Sequence, residues 1–189
     1  MFYEKSGAET GVPVVFAHGW GRDHKDFIPT AELLGDVAPI ILLDLPGFGQ
    51  SERPQGEWST QDYATAVRDF LASEFGITKF IWVGHSFGGR IGLRLAAMPN
   101  SPLEHLHIVG GAGIKLPQPL MKRIKGKWRG WQFKRQKAQA KTDADLIALE
   151  AQFGSADYVN SRNLGLRDIF IRTVEEDQTP HLAQITCPT

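Results

Sequence analysis

The pentapeptide Gly84-His85-Ser86-Phe87-Gly88 stands between an apolar run, Lys79–Gly84, and a helical pattern, Phe87–Met98, that ends before Pro99. A serine with glycine two residues away on each side, a strand before it and a helix after it, marks a sharp strand-to-helix turn. Such a turn forces strained backbone angles on its central residue, and a Cβ at either flanking position would clash. Gly89 lets the helix lie close to the strand. Ser86 is then left at a helix N-terminus, where the dipole favours a developing negative charge. A chain built around this turn must run a strand straight into a helix, which is the grammar of an α/β fold.

The rest of the first 114 residues follows that grammar. Val12–Ala17, Ala38–Leu45, Lys79–Gly84 and Leu106–Gly111 are apolar and rich in Val and Ile, as expected of strands buried on both faces. Asp26–Leu34 and Thr60–Phe75 are helical patterns between them. In the second, Tyr63, Ala66, Val67, Phe70, Leu71 and Phe75 recur every three or four residues, with Thr60 as the expected N-cap. Strand–helix alternation predicts a mostly parallel sheet with helices on both faces.

From Lys115 the rhythm changes. Ten Lys/Arg and no acidic residue fall between Lys115 and Lys141, interleaved with Trp128, Trp131 and Phe133, and from Thr142 onward eight Asp/Glu face three Arg. Thr142-Asp143-Ala144-Asp145 opens a capped helix that Gly154 closes, and Leu166, Ile169, Phe170 and Val174 share a face of another. Residues 115–181 therefore read as a helical insertion, and 182–189 as the lead-in to a further strand. The basic stretch with its tryptophans is read as a cap helix whose aromatics line a pocket while Lys and Arg face water or the acidic segment. The whole chain is neutral, with 21 Lys+Arg against 21 Asp+Glu, so no net charge draws it to nucleic acid, and no stable membrane association is expected. No run approaches the ~20 apolar residues of a membrane span. Cys187 is the single cysteine, which excludes an internal disulfide framework and a cysteine-based metal site. Met1–Gly7 lacks the apolar run of a signal peptide, so a cytoplasmic protein is expected.

Three segments together carry a resemblance. His18-Gly19-Trp20-Gly21, Asp44-Leu45-Pro46-Gly47-Phe48-Gly49-Gln50-Ser51 and Gly84-His85-Ser86-Phe87-Gly88-Gly89 resemble the three successive loops of the α/β-hydrolase superfamily, in order and spacing. The later part resembles the cap and post-cap stretch of its small bacterial members. The resemblance implies a 1–114 hydrolase core, a 115–181 cap, and Ser86 as nucleophile. It further implies an oxyanion hole from the backbone N–H groups of Trp20 and Phe87, with His18, Gly19, Gly84, Gly88 and Gly89 shaping the loops. Trp128, Trp131 and Phe133 are the candidate pocket lining. Asp44 and Ser51 are expected to shape their loop by hydrogen bonding.

A serine rather than an aspartate in the elbow implies esterase-like acyl transfer on a small-molecule carbonyl, with no metal or organic cofactor, and argues against epoxide hydrolases. The family's catalytic acid and histidine follow later strands, so the resemblance implies that both lie beyond Thr189 and that these 189 residues alone are inactive. None of His18, His24, His85, His105, His107 and His181 is expected to act as base. The alternative from another class is a binding module with the hydrolase fold and no chemistry.

Overall fold

The computed structural model describes residues 1–189 except Leu116. Five strands form one sheet: β1 (Tyr3–Gly7), β2 (Val14–Ala17), β3 (Pro39–Leu43), β4 (Phe80–His85) and β5 (Leu103–Val109), in the order β1-β3-β2-β4-β5. The last four run parallel, and β1 lies antiparallel on β3, with Tyr3 opposite Leu43. The expected α/β architecture is thus present.

The central strands are where the apolar runs predict them. Val15, Phe16, Ala17, Ile40, Ile41 and Leu43 are all but inaccessible to solvent, as a parallel sheet covered on both faces requires. β1 escapes periodicity because Tyr-Glu-Lys-Ser-Gly is polar, and it is held by its ladder to β3. The expectation for the last strand needs correcting. It starts at Leu103, three residues earlier than the apolar run, and is not buried on both faces: Leu103 and Leu106 point inward while Glu104, His105, His107 and Val109 are exposed. Its place at the sheet edge explains that alternation. Leu106 N donates to Pro188 O at 2.9 Å, so the final residues run along this outer edge.

Helices α1 (Ile28–Leu34), α2 (Thr60–Phe75) and α3 (Phe87–Ala96) flank the sheet. The N-cap of α2 is Ser59 rather than Thr60. Ser59 and Asp62 form a reciprocal capping box. Thr60 is instead buried and bonded through its backbone N to Glu176 Oε1 at 3.0 Å, which fastens the chain after the last helix to the core. Four further helices follow: α4 (Leu120–Gln139), α5 (Asp143–Phe153), α6 (Ala156–Asn163) and α7 (Arg167–Glu175). Thr142 caps α5 in a second capping box with Asp145. Among the described residues between Lys115 and Asp177 there is no strand.

The last three helices converge on Glu150. Its buried carboxylate receives Arg167 Nη1 at 3.1 Å and Nη2 at 2.8 Å, and Arg162 Nε at 3.1 Å. Burial alone would raise the Glu150 pKa, but the two guanidiniums outweigh it and hold the value below the ordinary range. The Arg167 guanidinium also lies 3.8 Å from the Tyr158 ring centroid.

Candidate active site

Strand β4 ends at His85, helix α3 begins at Phe87, and Ser86 is the hinge between them. Its φ of 47° and ψ of −98° lie where non-glycine residues seldom sit. The flanking glycines are required by close approach. A Cβ on Gly84 would strike the backbone of Gly88 and Gly89, and one on Gly88 would strike the carbonyl of Ala17. A Cβ on Gly89 would come 2.9 Å from Ile108 Cγ2, the tight helix–strand packing predicted for that position. Ser86 N donates to Val109 O at 3.0 Å, which ties the turn to the end of β5.

The loop after β2 meets the elbow directly. Gly88 N donates to His18 O at 3.1 Å, and the Trp20 and Phe87 rings meet edge-on with centroids 5.1 Å apart. A Cβ on Gly19 would lie 2.8 Å from His85 Nδ1 and 3.7 Å from Ser86 Cβ, so Gly19 admits the serine and the imidazole beside it. The backbone N–H groups of Trp20 and Phe87 make no hydrogen bond to another described residue. The Trp20 indole N–H is also buried without an acceptor.

His18 is a loop-shaping residue with a fixed tautomer. Its Nε2 accepts from Leu45 N at 3.0 Å, which places the proton on Nδ1, and Nδ1 donates to Gly19 O at 2.7 Å. Burial lowers its pKa, so the ring is held neutral. With its only lone pair engaged by an amide, it is no base for Ser86.

The Asp44–Ser51 loop is equally fixed. Asp44 Oδ1 accepts from His24 N at 2.7 Å and lies 2.8 Å from His24 Nδ1, and Asp44 Oδ2 accepts from Gln50 N at 2.8 Å. Burial opposes ionisation of Asp44, yet these hydrogen bonds and the His24 imidazole outweigh it and lower the pKa. Ser51 Oγ donates to Asp44 O at 2.6 Å and accepts from Phe2 N at 2.8 Å. The expected roles of Asp44 and Ser51 hold. His24 itself is buried, and its Nε2 also lies 3.1 Å from Glu4 Oε1. The nineteen residues between His24 and Asp44 carry no pattern that announces the pair. With Asp23 they form a cluster of metal-ligating residue types, but hydrogen bonds already occupy the Asp44 oxygens, so the donor set fits a loop clamp.

His105 and His107 stack on the exposed face of β5, their centroids 6.3 Å apart, and His181 sits in the 3-10 turn Thr179–Gln184. His85 packs between Gly19 and Gly110. Among the described residues no imidazole or carboxylate is hydrogen-bonded to Ser86 Oγ.

Helices α6 and α7 lie over the loops at the C-terminal ends of the strands. Phe170 meets Trp20 at 4.9 Å between centroids, Leu166 packs on Gly47, and Asn160 packs on Gly21. Beside them α4–α7 line an open cavity of about 440 Å³ whose apolar wall includes Phe133, Phe153, Tyr158, Phe170 and Val174. Phe133 is on the wall of this cavity. Trp128 and Trp131 are exposed. Helical phase gives the reason: Gly126, Arg129, Gly130 and Phe133 share the inner face of α4, and at about 100° per residue the two tryptophans fall on other faces. The Lys and Arg of α4 form no ion pair with the acidic segment among the described residues; Arg129 instead donates to the carbonyls of Gln152 and Phe153 at 3.1 and 3.3 Å, and the others are exposed.

Comparison with known proteins agrees with this geometry. The family described as alpha/beta hydrolase fold matches residues 12–167. The dihydrolipoyllysine-residue acetyltransferase component of the acetoin cleaving system of Pseudomonas putida is 30% identical over 108 residues, covering 57% of this chain and 29% of that protein. Lipase 1 of Psychrobacter immobilis is 30% identical over 116 residues, 60% of this chain and 36% of the lipase. The soluble epoxide hydrolase of Corynebacterium sp. (strain C12) is 31% identical over 109 residues, 58% of this chain and 37% of that enzyme. The matched stretch thus spans about a third of the length of these curated relatives. Among solved structures, a bacterial membrane phospholipase A superposes with a TM-score of 0.70 at 24% identity, over 99% of this chain and 64% of that one. A thermophilic esterase from Thermogutta terrifontis gives 0.66 at 20%, over 100% and 72%. These two likenesses establish the fold. No described helix is long and apolar enough to cross a membrane. With a strained serine between Gly84 and Gly88, a glycine-bearing loop bonded to Gly88, and the family match across residues 12–167, this chain belongs to the alpha/beta hydrolase fold family.

Proposed function

We propose that Ser86 is the nucleophile of a carboxylesterase-like hydrolase acting on an ester-like small molecule. The observation that carries this reading is the elbow itself, with Ser86 at φ 47° and the oxyanion loop bonded to Gly88. Ser86 Oγ attacks the carbonyl carbon while its proton passes to a base. The oxygen that becomes negative is held by the N–H groups of Trp20 and Phe87, both left without a partner. The carbon–oxygen bond to the alcohol breaks, the alcohol leaves with a proton, and water then releases the acyl group. A serine at this position favours acyl transfer over the epoxide chemistry in the name of one relative. Residues 115–181 act as a cap, and the cavity walled by Phe133, Phe153 and Phe170 takes the acyl chain.

The base is the missing part. No described histidine serves Ser86, so acyl transfer at full rate needs an imidazole from outside these 189 residues, with a carboxylate to orient it. That same observation favours the second reading, a hydrolase-fold binding module. Hydrolysis of p-nitrophenyl acetate by the chain separates the cases. The expected rate is little above background, with a slow stoichiometric acylation that Ser86→Ala removes. Absence of any acylation at Ser86 supports the binding module instead.

A further inference from the structure

We infer that the outer face of α4 is a docking surface for an anionic lipid bilayer. Leu120, Met121, Ile124, Trp128 and Trp131 are between 51% and 69% exposed. At about 100° per residue these five fall within roughly 100° of arc and form one continuous stripe. The stripe lies opposite the face of Gly126, Gly130 and Phe133 that closes the cavity. The helix therefore spends one side on the protein and offers an apolar side, with two tryptophans, to solvent.

Charge decides what covers it. Over Leu120–Gln139 there are eight Lys/Arg and no Asp/Glu, all eight exposed. Lys125 flanks the stripe on one side and Lys127 and Lys134 on the other, while Arg135 lies over the Trp131 ring at 5.5 Å. A second copy of α4 would bring eight cations against eight. A nucleic acid would satisfy the charges but leave Leu120, Met121 and Ile124 in water. An anionic bilayer satisfies both: its headgroups take Lys125, Lys127, Lys134 and Arg135 beside the stripe, and its acyl boundary takes the stripe, with the tryptophans at the interface. The attachment is peripheral and reversible, and does not depend on the acyl-transfer reading. It reverses the expectation from neutral total charge, because that neutrality is an average over segments of opposite sign.

Flotation of the full chain with vesicles of phosphatidylcholine, alone and mixed with phosphatidylglycerol, tests the inference. The chain is expected to float with the mixed vesicles at low salt and to be released by high salt. Tryptophan emission should shift to the blue and be quenched by brominated acyl chains. Each cation near the surface is worth about 1 kcal/mol, or about fivefold in partition, so Lys125→Glu with Lys127→Glu lowers partition by at least about twenty-fivefold. Ile124→Asp with Trp128→Asp, at exposed positions, removes the quenching while circular dichroism stays unchanged. Failure of the unsubstituted chain to float, or flotation indifferent to Ile124→Asp with Trp128→Asp, overturns the inference. So does salt-sensitive binding to duplex DNA without vesicle binding, or a dimer in solution that Ile124→Asp dissociates.

Discussion

The amide of Gly88 donates a 3.1 Å hydrogen bond to the carbonyl of His18, joining the first turn of the helix behind Ser86 to the loop after β2. The bond is possible only because Gly88 has no side chain, since a Cβ there would occupy the space of the Ala17 carbonyl. The serine turn and the loop after β2 are thus joined directly between neighbouring strand ends. Everything proposed for Ser86 rests on this joint.

Substituting Gly88→Ala should therefore loosen both loops at once. The backbone of β2 cannot yield without breaking its ladders, so the expected loss is about 1–3 kcal/mol of stability, the range for overpacking a well-filled site. Urea unfolding followed by circular dichroism measures it. An unchanged midpoint would show that the elbow has slack which the contacts deny.

Acid should act through Asp44. Its folded pKa lies below its unfolded value, so the stability it contributes is present above about pH 4 and lost as pH falls through the folded value. Asp44→Asn cannot accept equally from His24 and Gln50, and should cost about 1–3 kcal/mol near neutrality. It should also flatten the fall in stability below about pH 4. Denaturant midpoints for both proteins across that range check the sign. A substituted protein that loses stability with acid as steeply as the parent would show that other carboxylates dominate.

Glu150→Gln should loosen α5, α6 and α7 while leaving the sheet intact. Removing the carboxylate strands Arg167, which is largely buried. The cost is set at about 1–3 kcal/mol rather than the full value for a buried pair, because the Arg162 side chain is 37% exposed. Hydrogen exchange should quicken in these helices and not in β2 or β4. Equal quickening throughout would mean that the helices unfold only with the core.

What the sequence made legible follows from how local each signal is. The elbow was readable because Gly84, Ser86 and Gly88 are adjacent and their spacing has a steric cause. The central strands were readable because burial on both faces leaves unbroken apolar runs. β1 was not, since Tyr3–Gly7 is a polar edge strand held by a ladder to distant residues. The His24–Asp44 clamp and the Glu150 hub join residues far apart in the chain, and no periodicity marks such pairs. The orientation of the α4 tryptophans is not legible from aromatic content, because the helical phase of Gly126, Gly130 and Phe133 decides which face turns inward.

The most direct measurement is the pH dependence of Ser86 phosphonylation by a small fluorophosphonate, followed by intact mass and located by peptide mapping. One adduct is expected, on Ser86. Its rate should rise steadily with hydroxide and show no inflection near the histidine pKa of about 6.5, because no imidazole in this chain takes the proton. An inflection there that vanishes when one of the six histidines is replaced would contradict the missing base. An adduct on another residue, with Ser86 untouched, would contradict the nucleophile.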